Sequence, residues 1–298
     1  VHKLRSAIFV TVGLALAGLA LVVSAARSAG AGDRIVFVTN HPCGGRQVNC
    51  GRAEIATVRA DGSGTAILTR NAVSEASPAW SPSGAQIAFF RPARPGSAGQ
   101  VWLMNPNGSR QRQLTHLKAI QFYGDLDWSP TGRSLVIKAF ASTSGGATEL
   151  WVVNASTGDV SRLTTTAVGE GAPSWSPNGR WITFSSEGRL QANRIWRLSV
   201  ATRRMVALTA ASTALYPSWS PDSRRIAFTL GGRLAVMDAD GRHRHVLRLF
   251  GTRPHWSPDG QWLVYVANGD LFKVRLDGSG RTQLTRHGKL TVNDQPDW

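Results

Sequence analysis

Past residue 32, apolar positions along this chain fall in short β-branched or aromatic runs separated by turn signals. None of these runs repeats at the 3.6-residue spacing of a helix. The runs return in a fixed order. A Pro-x-Trp segment ends at Trp80, Trp175, Trp219, Trp256 and Trp298, with Leu126-Asp127-Trp128 as the variant copy. A Ser-Pro-x-Gly turn follows in four copies and Ser-Pro-Asp-Ser in the fifth, the preferences of a type I turn. Next comes an apolar core at 87–90, 135–138, 182–185, 226–229 or 263–266, and then a third run at 101–104, 150–153, 195–198, 234–237 or 271–274. Asp61-Gly62, Asn107-Gly108, Asp240-Gly241 and Asp277-Gly278 supply the positive φ of tight hairpins. The fourth run closes on Leu-Thr everywhere except Leu247-Arg248.

The tryptophans are 48, 47, 44, 37 and 42 residues apart, the range of four-stranded propeller blades. The sixth copy stops at Trp298, and the strand that should follow it stands near the other end, at residues 33–38, ahead of a third run at 55–58. The pattern therefore predicts an all-β, six-bladed β-propeller over 32–298, closed by the C-terminal strand completing the N-terminal blade. One blade cannot cover both its faces, so the recurring tryptophan is expected to fill the wedge between neighbours. Trp102, Trp151 and Trp196 are expected in the core, and Trp181 and Trp262 partly exposed.

Residues 1–31 read differently. His2, Lys3 and Arg5 precede an uncharged apolar run at 7–23 and then small residues, the layout of a secretory signal. Export to a periplasmic or extracellular compartment follows from it. Whether the segment is cleaved or stays as a membrane anchor is left open, and that anchor is the sole membrane contact expected. In an exported chain, Cys43 and Cys50 read as a disulfide closing a short loop.

The net charge is +16, about +13 without the first 31 residues. Such a surface suits an anionic envelope polymer or lipid headgroups, and export argues against nucleic acid. Only 5 of the 34 basic residues are lysines, so base composition of the genome accounts for part of the excess.

The repeat P-x-W-S-P-D-G-x-x-I-A-F, then W/Y-x-M-N-x-x-G, then L-T, resembles the WD40-like repeat of the TolB family of six-bladed propellers, over nearly all of 33–298. The resemblance implies a non-enzymatic, periplasmic protein-interaction platform, here without the α/β domain that precedes the propeller in TolB itself. Similar repeats form the propeller caps of prolyl-oligopeptidase-type peptidases and some lyases of acidic sugars; no hydrolase domain is expected after Trp298.

Alternation along the first strand puts the residues one and three before each tryptophan on the channel side. These are Ala79 and Ser77, Asp127 and Asp125, Ser174 and Ala172, Ser218 and Tyr216, His255 and Arg253, Asp297 and Gln295. Asp125, Asp127, Tyr216, Arg253, His255 and Asp297 are the candidate ligand-binding residues. Asp127, His255 and Asp297 are candidates for a divalent cation, the one cofactor the residues allow, and Arg253 with His255 for clamping a partner's carboxylate. Loops at 41–52, 91–99, 141–147 and 187–193 extend the same face. No catalytic motif appears: no G-x-S-x-G, H-E-x-x-H, phosphate-binding loop or C-x-x-C. The sequence thus points to a monomeric, non-catalytic scaffold that binds an envelope protein or polymer. The alternative is a metal-assisted lyase or hydrolase acting on an anionic glycan.

Overall fold

A computed structural model describes residues 32–40, 52–94, 99–117, 120–141, 147–166, 168–187, 193–210, 212–286 and 293–298. Residues 1–31, read above as a secretory signal, and the expected Cys43–Cys50 disulfide lie outside them. Among the described residues no helix is long and apolar enough to cross a membrane.

The described chain forms 24 strands in six blades. The first holds β1 (Arg34–Asn40), β2 (Ala53–Arg59) and β3 (Ala66–Ile67). The second holds β4 (Ala76–Trp80), β5 (Ile87–Pro92), β6 (Gly99–Met104) and β7 (Arg112–Gln113). The third holds β8 (Ile120–Trp128), β9 (Ser134–Ala141), β10 (Glu149–Asn154) and β11 (Val160–Arg162). The fourth holds β12 (Gly169–Trp175), β13 (Trp181–Glu187), β14 (Arg194–Ser199) and β15 (Met205–Ala207). The fifth holds β16 (Ala214–Trp219), β17 (Arg225–Leu230), β18 (Arg233–Asp238) and β19 (His245–Phe250). The sixth holds β20 (Thr252–Trp256), β21 (Trp262–Ala267), β22 (Asp270–Arg275) and β23 (Thr282–Gln283). Finally β24 (Asn293–Asp297) returns to pair antiparallel with β1, Val36 facing Asp297 and Val38 facing Asp294. One bridge, Gly99 to Phe122, also joins the second and third blades.

The core is six wedges rather than one centre. Each hydrophobic cluster unites side chains from two adjacent blades, and the recurring tryptophan enters the wedge toward the preceding blade. Trp80 lies with Val36 and Ile55, Trp128 with Ala79 and Val101, Trp298 with Val264 and Leu271. The wedge between the first and sixth blades is therefore built like the other five. Trp102, Trp151 and Trp196, expected in the core, pack against it half-buried, because they sit on the third strand where the blades diverge. Arginine guanidiniums cover the outer tryptophans: Arg91 lies over Trp102 at 4.6 Å, Arg197 over Trp181 at 4.2 Å and Arg275 over Trp262 at 4.5 Å. Part of the basic excess is thus spread on aromatic faces.

The repeat residues each have a hydrogen-bonding reason. In the first turn the fourth residue's N–H donates to the serine carbonyl, as from Gly84 to Ser81 at 2.8 Å. The Leu-Thr hydroxyl accepts the amide that opens the third strand: Ile55 to Thr69 at 2.9 Å, Val101 to Thr115 and Leu150 to Thr164 at 3.0 Å, Ile195 to Thr209 at 3.0 Å, Leu271 to Thr285 at 2.9 Å. A short fourth strand is thereby pinned where ladder bonds run out.

Two seams carry buried acids in matching spacing, Glu54–Thr69–Glu75 and Glu149–Thr164–Glu170. Glu170 is fully buried, accepts from the Thr164 hydroxyl and from the Leu150 amide at 3.1 Å, and burial raises its pKa above the ordinary 4.5. Burial raises Glu54 as well. Between the ordinary and raised values the folded state holds the extra proton, so stability falls as pH climbs through that window. Glu170→Gln should flatten this fall in a series of thermal melts; an unchanged slope would show that Glu170 does not contribute.

Candidate functional site

The first strand of every blade carries a bulge at the residue three before the tryptophan. Ser77, Asp125, Ala172, Tyr216, Arg253 and Gln295 all adopt left-handed φ between 48° and 55°. Bulky residues occupy this region at a cost of order 1–3 kcal/mol each. Ala172 shares it with Asp125, so the strain belongs to blade geometry and not to one side chain. Its effect is to re-aim this position into the central channel.

The structure brings both predicted rings together along that channel: Asp125, Asp127, Tyr216, Arg253, His255 and Asp297 all line it, with the intervening prolines. The acids tie blade to blade. Asp297 accepts the Trp80 amide at 2.6 Å, Asp127 the Trp175 amide at 2.7 Å, and Asp125 the Ala172 amide at 3.1 Å. Ser77 and Gln295 continue the series, accepting the amides of Asp125 at 2.6 Å and Ser77 at 2.5 Å. Each link runs from one blade to the next.

The basic residues are engaged too. Arg253 Nε lies 2.9 Å from Asp294 and its Nη1 3.6 Å from Asp125, with the guanidinium 4.0 Å above the Tyr216 ring. Asp125 belongs to the third blade and Arg253 to the sixth, diametrically opposite, so this arginine crosses the channel. His255 Nε2 is 2.9 Å from Asp297. A clamp on a partner's carboxylate would have to displace these internal acids. The three metal candidates do not converge: His255 meets Asp297, but Asp127 is three blades away from His255. Among the described residues no group of three or more His, Cys, Asp or Glu could hold a metal ion.

The opposite end of the channel holds what sequence reasoning missed. A cavity of about 200 Å³ is lined by the turn prolines Pro82, Pro130, Pro177, Pro221 and Pro258 and by Trp128, Trp175, Trp219 and Trp256. Asp127, Ser174, Ser218, His255 and Ser257 are the polar residues of its lining. Apolar walls with a few convergent polar groups are the usual make-up of a ligand site. The signal was available: the same proline recurs in every turn, and its side chain faces the axis. Much of the loop set at the other end lies outside the described residues.

Comparison with known proteins places this geometry. Over 80 residues the chain is 35% identical to the Tol-Pal system protein TolB of Zymomonas mobilis, a stretch covering 27% of this chain and 17% of that protein. Over 144 residues it is 26% identical to the uncharacterized peptidase YuxL of Bacillus subtilis, covering 37% and 21% respectively. The chain thus spans about a fifth of the length of these curated relatives. The crystal structure of TolB from Acinetobacter baumannii superposes with a TM-score of 0.72 at 22% identity, covering 89% of this chain and 66% of that one, a likeness of fold. The family model of the Dipeptidyl peptidase IV N-terminal region matches residues 248–298. The model of the TolB beta propeller domain matches residues 68–252, well over half of the chain and four of the repeats described above. By its repeats, its six-bladed ring and that match, the chain belongs to the TolB beta propeller domain family.

Proposed function

We propose that this protein is a non-catalytic binding scaffold of the cell envelope, exported by residues 1–31, whose central channel receives a protruding apolar segment of an envelope protein. The observation that carries this reading is the proline- and tryptophan-lined cavity at the turn end of the channel. The other end is crossed by Arg253, already paired with Asp125 and Asp294. Entry from the turn end therefore costs no ion pair, and it buries apolar surface against rigid rings.

Site-specific photocrosslinking in the native membrane fraction tests it. A crosslinker at Pro130 should give one dominant protein adduct, and Ser218→Arg, which fills the cavity, should abolish it. A crosslinker at Arg203, on an outer turn, should give none. Equal labelling from both positions, or an adduct indifferent to Ser218→Arg, would overturn the reading.

The matches to YuxL and to the dipeptidyl peptidase region favour a second reading, in which the ring is the propeller of a peptidase. Immunoblotting the native protein separates the two. A polypeptide far larger than 32.0 kDa that reacts with a fluorophosphonate probe would favour the peptidase.

A further inference from the structure

The fifth blade departs from the repeat, and the departures fall in one place. Outer strands elsewhere are two or three residues long, whereas β19 runs for six. It lacks the Leu-Thr pin, and a single residue, Gly251, links it to the next blade. Its outer edge pairs with no strand among the described residues, so a row of backbone donors and acceptors is free along it.

Its side chains divide cleanly. Leu247 and Leu249 pack into the wedge toward the sixth blade. Val246 and Phe250 point the other way: they stand opposite Ala235 and Arg233, on the face whose Ala235 and Met237 enter the wedge with the fourth blade. They stay open to solvent, Phe250 at 69% and Val246 at 38%. Val206 on β15 faces the same cleft from the fourth blade, since its neighbour Arg197 reaches across to the Ala239 carbonyl at 2.5 Å; it is 42% exposed. Three of the four exposed large hydrophobic residues among those described therefore open on one cleft.

Charge frames it. Arg242 and His243 are engaged by Asp240 and Asp238, but Arg244 and Arg248 on the same exposed stretch have no acidic partner among the described residues. Arg233 lies over the Phe250 ring at 4.5 Å. Arginines along an edge repel a second copy of that edge and favour an acidic strand.

We propose that β19 is a docking edge for an extended acidic segment of a partner protein, which adds to the fifth blade as an outermost strand and lays its apolar side chains into the cleft between the fourth and fifth blades. Strand addition uses the free backbone groups for affinity and alternate side chains for selectivity. A lipid surface would use neither the backbone row nor apolar residues turned into a cleft.

The probe is a fluorescein-labelled peptide of alternating aspartate and valine, with alternating lysine and valine as control, read by anisotropy on the full chain. The acidic peptide should bind and the lysine peptide should not. The double charge reversal Arg244→Glu and Arg248→Glu should exchange that preference, and Phe250→Ser should weaken binding by about tenfold. In the unmodified protein, amide hydrogen exchange over 245–250 should slow when the acidic peptide is present, a readout independent of whether any variant folds. Equal binding of both peptides, or binding without protection of those amides, would overturn the proposal. So would displacement of the acidic peptide by phosphatidylglycerol vesicles, which assigns the surface to lipid. None of these results bears on the channel reading, whose crosslinks lie elsewhere on the ring.

Discussion

Deleting Gln295 to Trp298 should abolish cooperative unfolding of the whole ring, although only four residues are lost. The deletion takes away most of β24 and its pairing with β1. It also empties the wedge between the first and sixth blades of Trp298, which is 4% exposed there beside Val264 and Leu271. Losing a buried tryptophan alone costs about 3–5 kcal/mol. With it go the acceptors of two amides on the second blade, Trp80 to Asp297 at 2.6 Å and Ser77 to Gln295 at 2.5 Å. His255 loses the partner of its Nε2 as well. Against a total domain stability of about 5–15 kcal/mol, these losses leave little margin. Circular dichroism melts of the truncated and full chains give the comparison; a truncated form with the parent's sharp transition would mean that the ring does not depend on this closure.

How much of this was legible beforehand depends on whether a feature lies within a blade or between blades. The tryptophan, the Ser-Pro turn, the hairpin glycines and the strand runs recur at blade spacing, so the repeat could be read directly, and the stranded copy at the C-terminus implied closure. Period-two alternation led to Asp125, Asp127, Tyr216, Arg253, His255 and Asp297, and all six line the channel, but Asp125, Tyr216 and Arg253 do so through a bulge that the alternation did not foresee. What it could not show is that the acids on this list are occupied by amides of the neighbouring blade. Nor could it show that Arg253 spans the axis, since that depends on which blades face each other. The left-handed φ at the residue before proline runs against the local preference for extended backbone there, so no propensity argument would have found it. The proline-lined cavity escaped for a simpler reason: Pro82 and its counterparts already had a role as turn formers. The acids Glu75 and Glu170 show up only when the repeats are laid over one another and their spacing from Thr69 and Thr164 is seen to match.

The hairpin glycines hold the second large prediction. Local reasoning gives Gly158 and Gly278 the same job, since both close a third-to-fourth strand turn at positive φ, 80° and 84°. On that view an alanine costs about 1–2 kcal/mol at either site, the left-handed penalty alone. The ring distinguishes them. A Cβ on Gly158 would stand 2.0 Å from the Leu114 carbonyl oxygen of the preceding blade, and one on Gly278 would meet nothing within 4 Å. The same approach recurs at Gly108 against Leu68 and Gly241 against Leu208, so these turns dock on the Leu-Thr backbone next door. Gly278 is spared because its neighbour is the divergent fifth blade, where Leu247-Arg248 replaces that pair. A backbone oxygen cannot swing aside like a side chain, so Gly158→Ala must part the second and third blades and loosen Val101, Leu103 and Trp128 in the wedge. We expect it to cost about 4 kcal/mol or more, in the range reserved for overpacking at a buried contact. Gly278→Ala should lower the melting temperature by only a few degrees. Two melts decide the matter: if the variants lose stability equally, the glycines serve their own hairpins and the contact between blades contributes nothing.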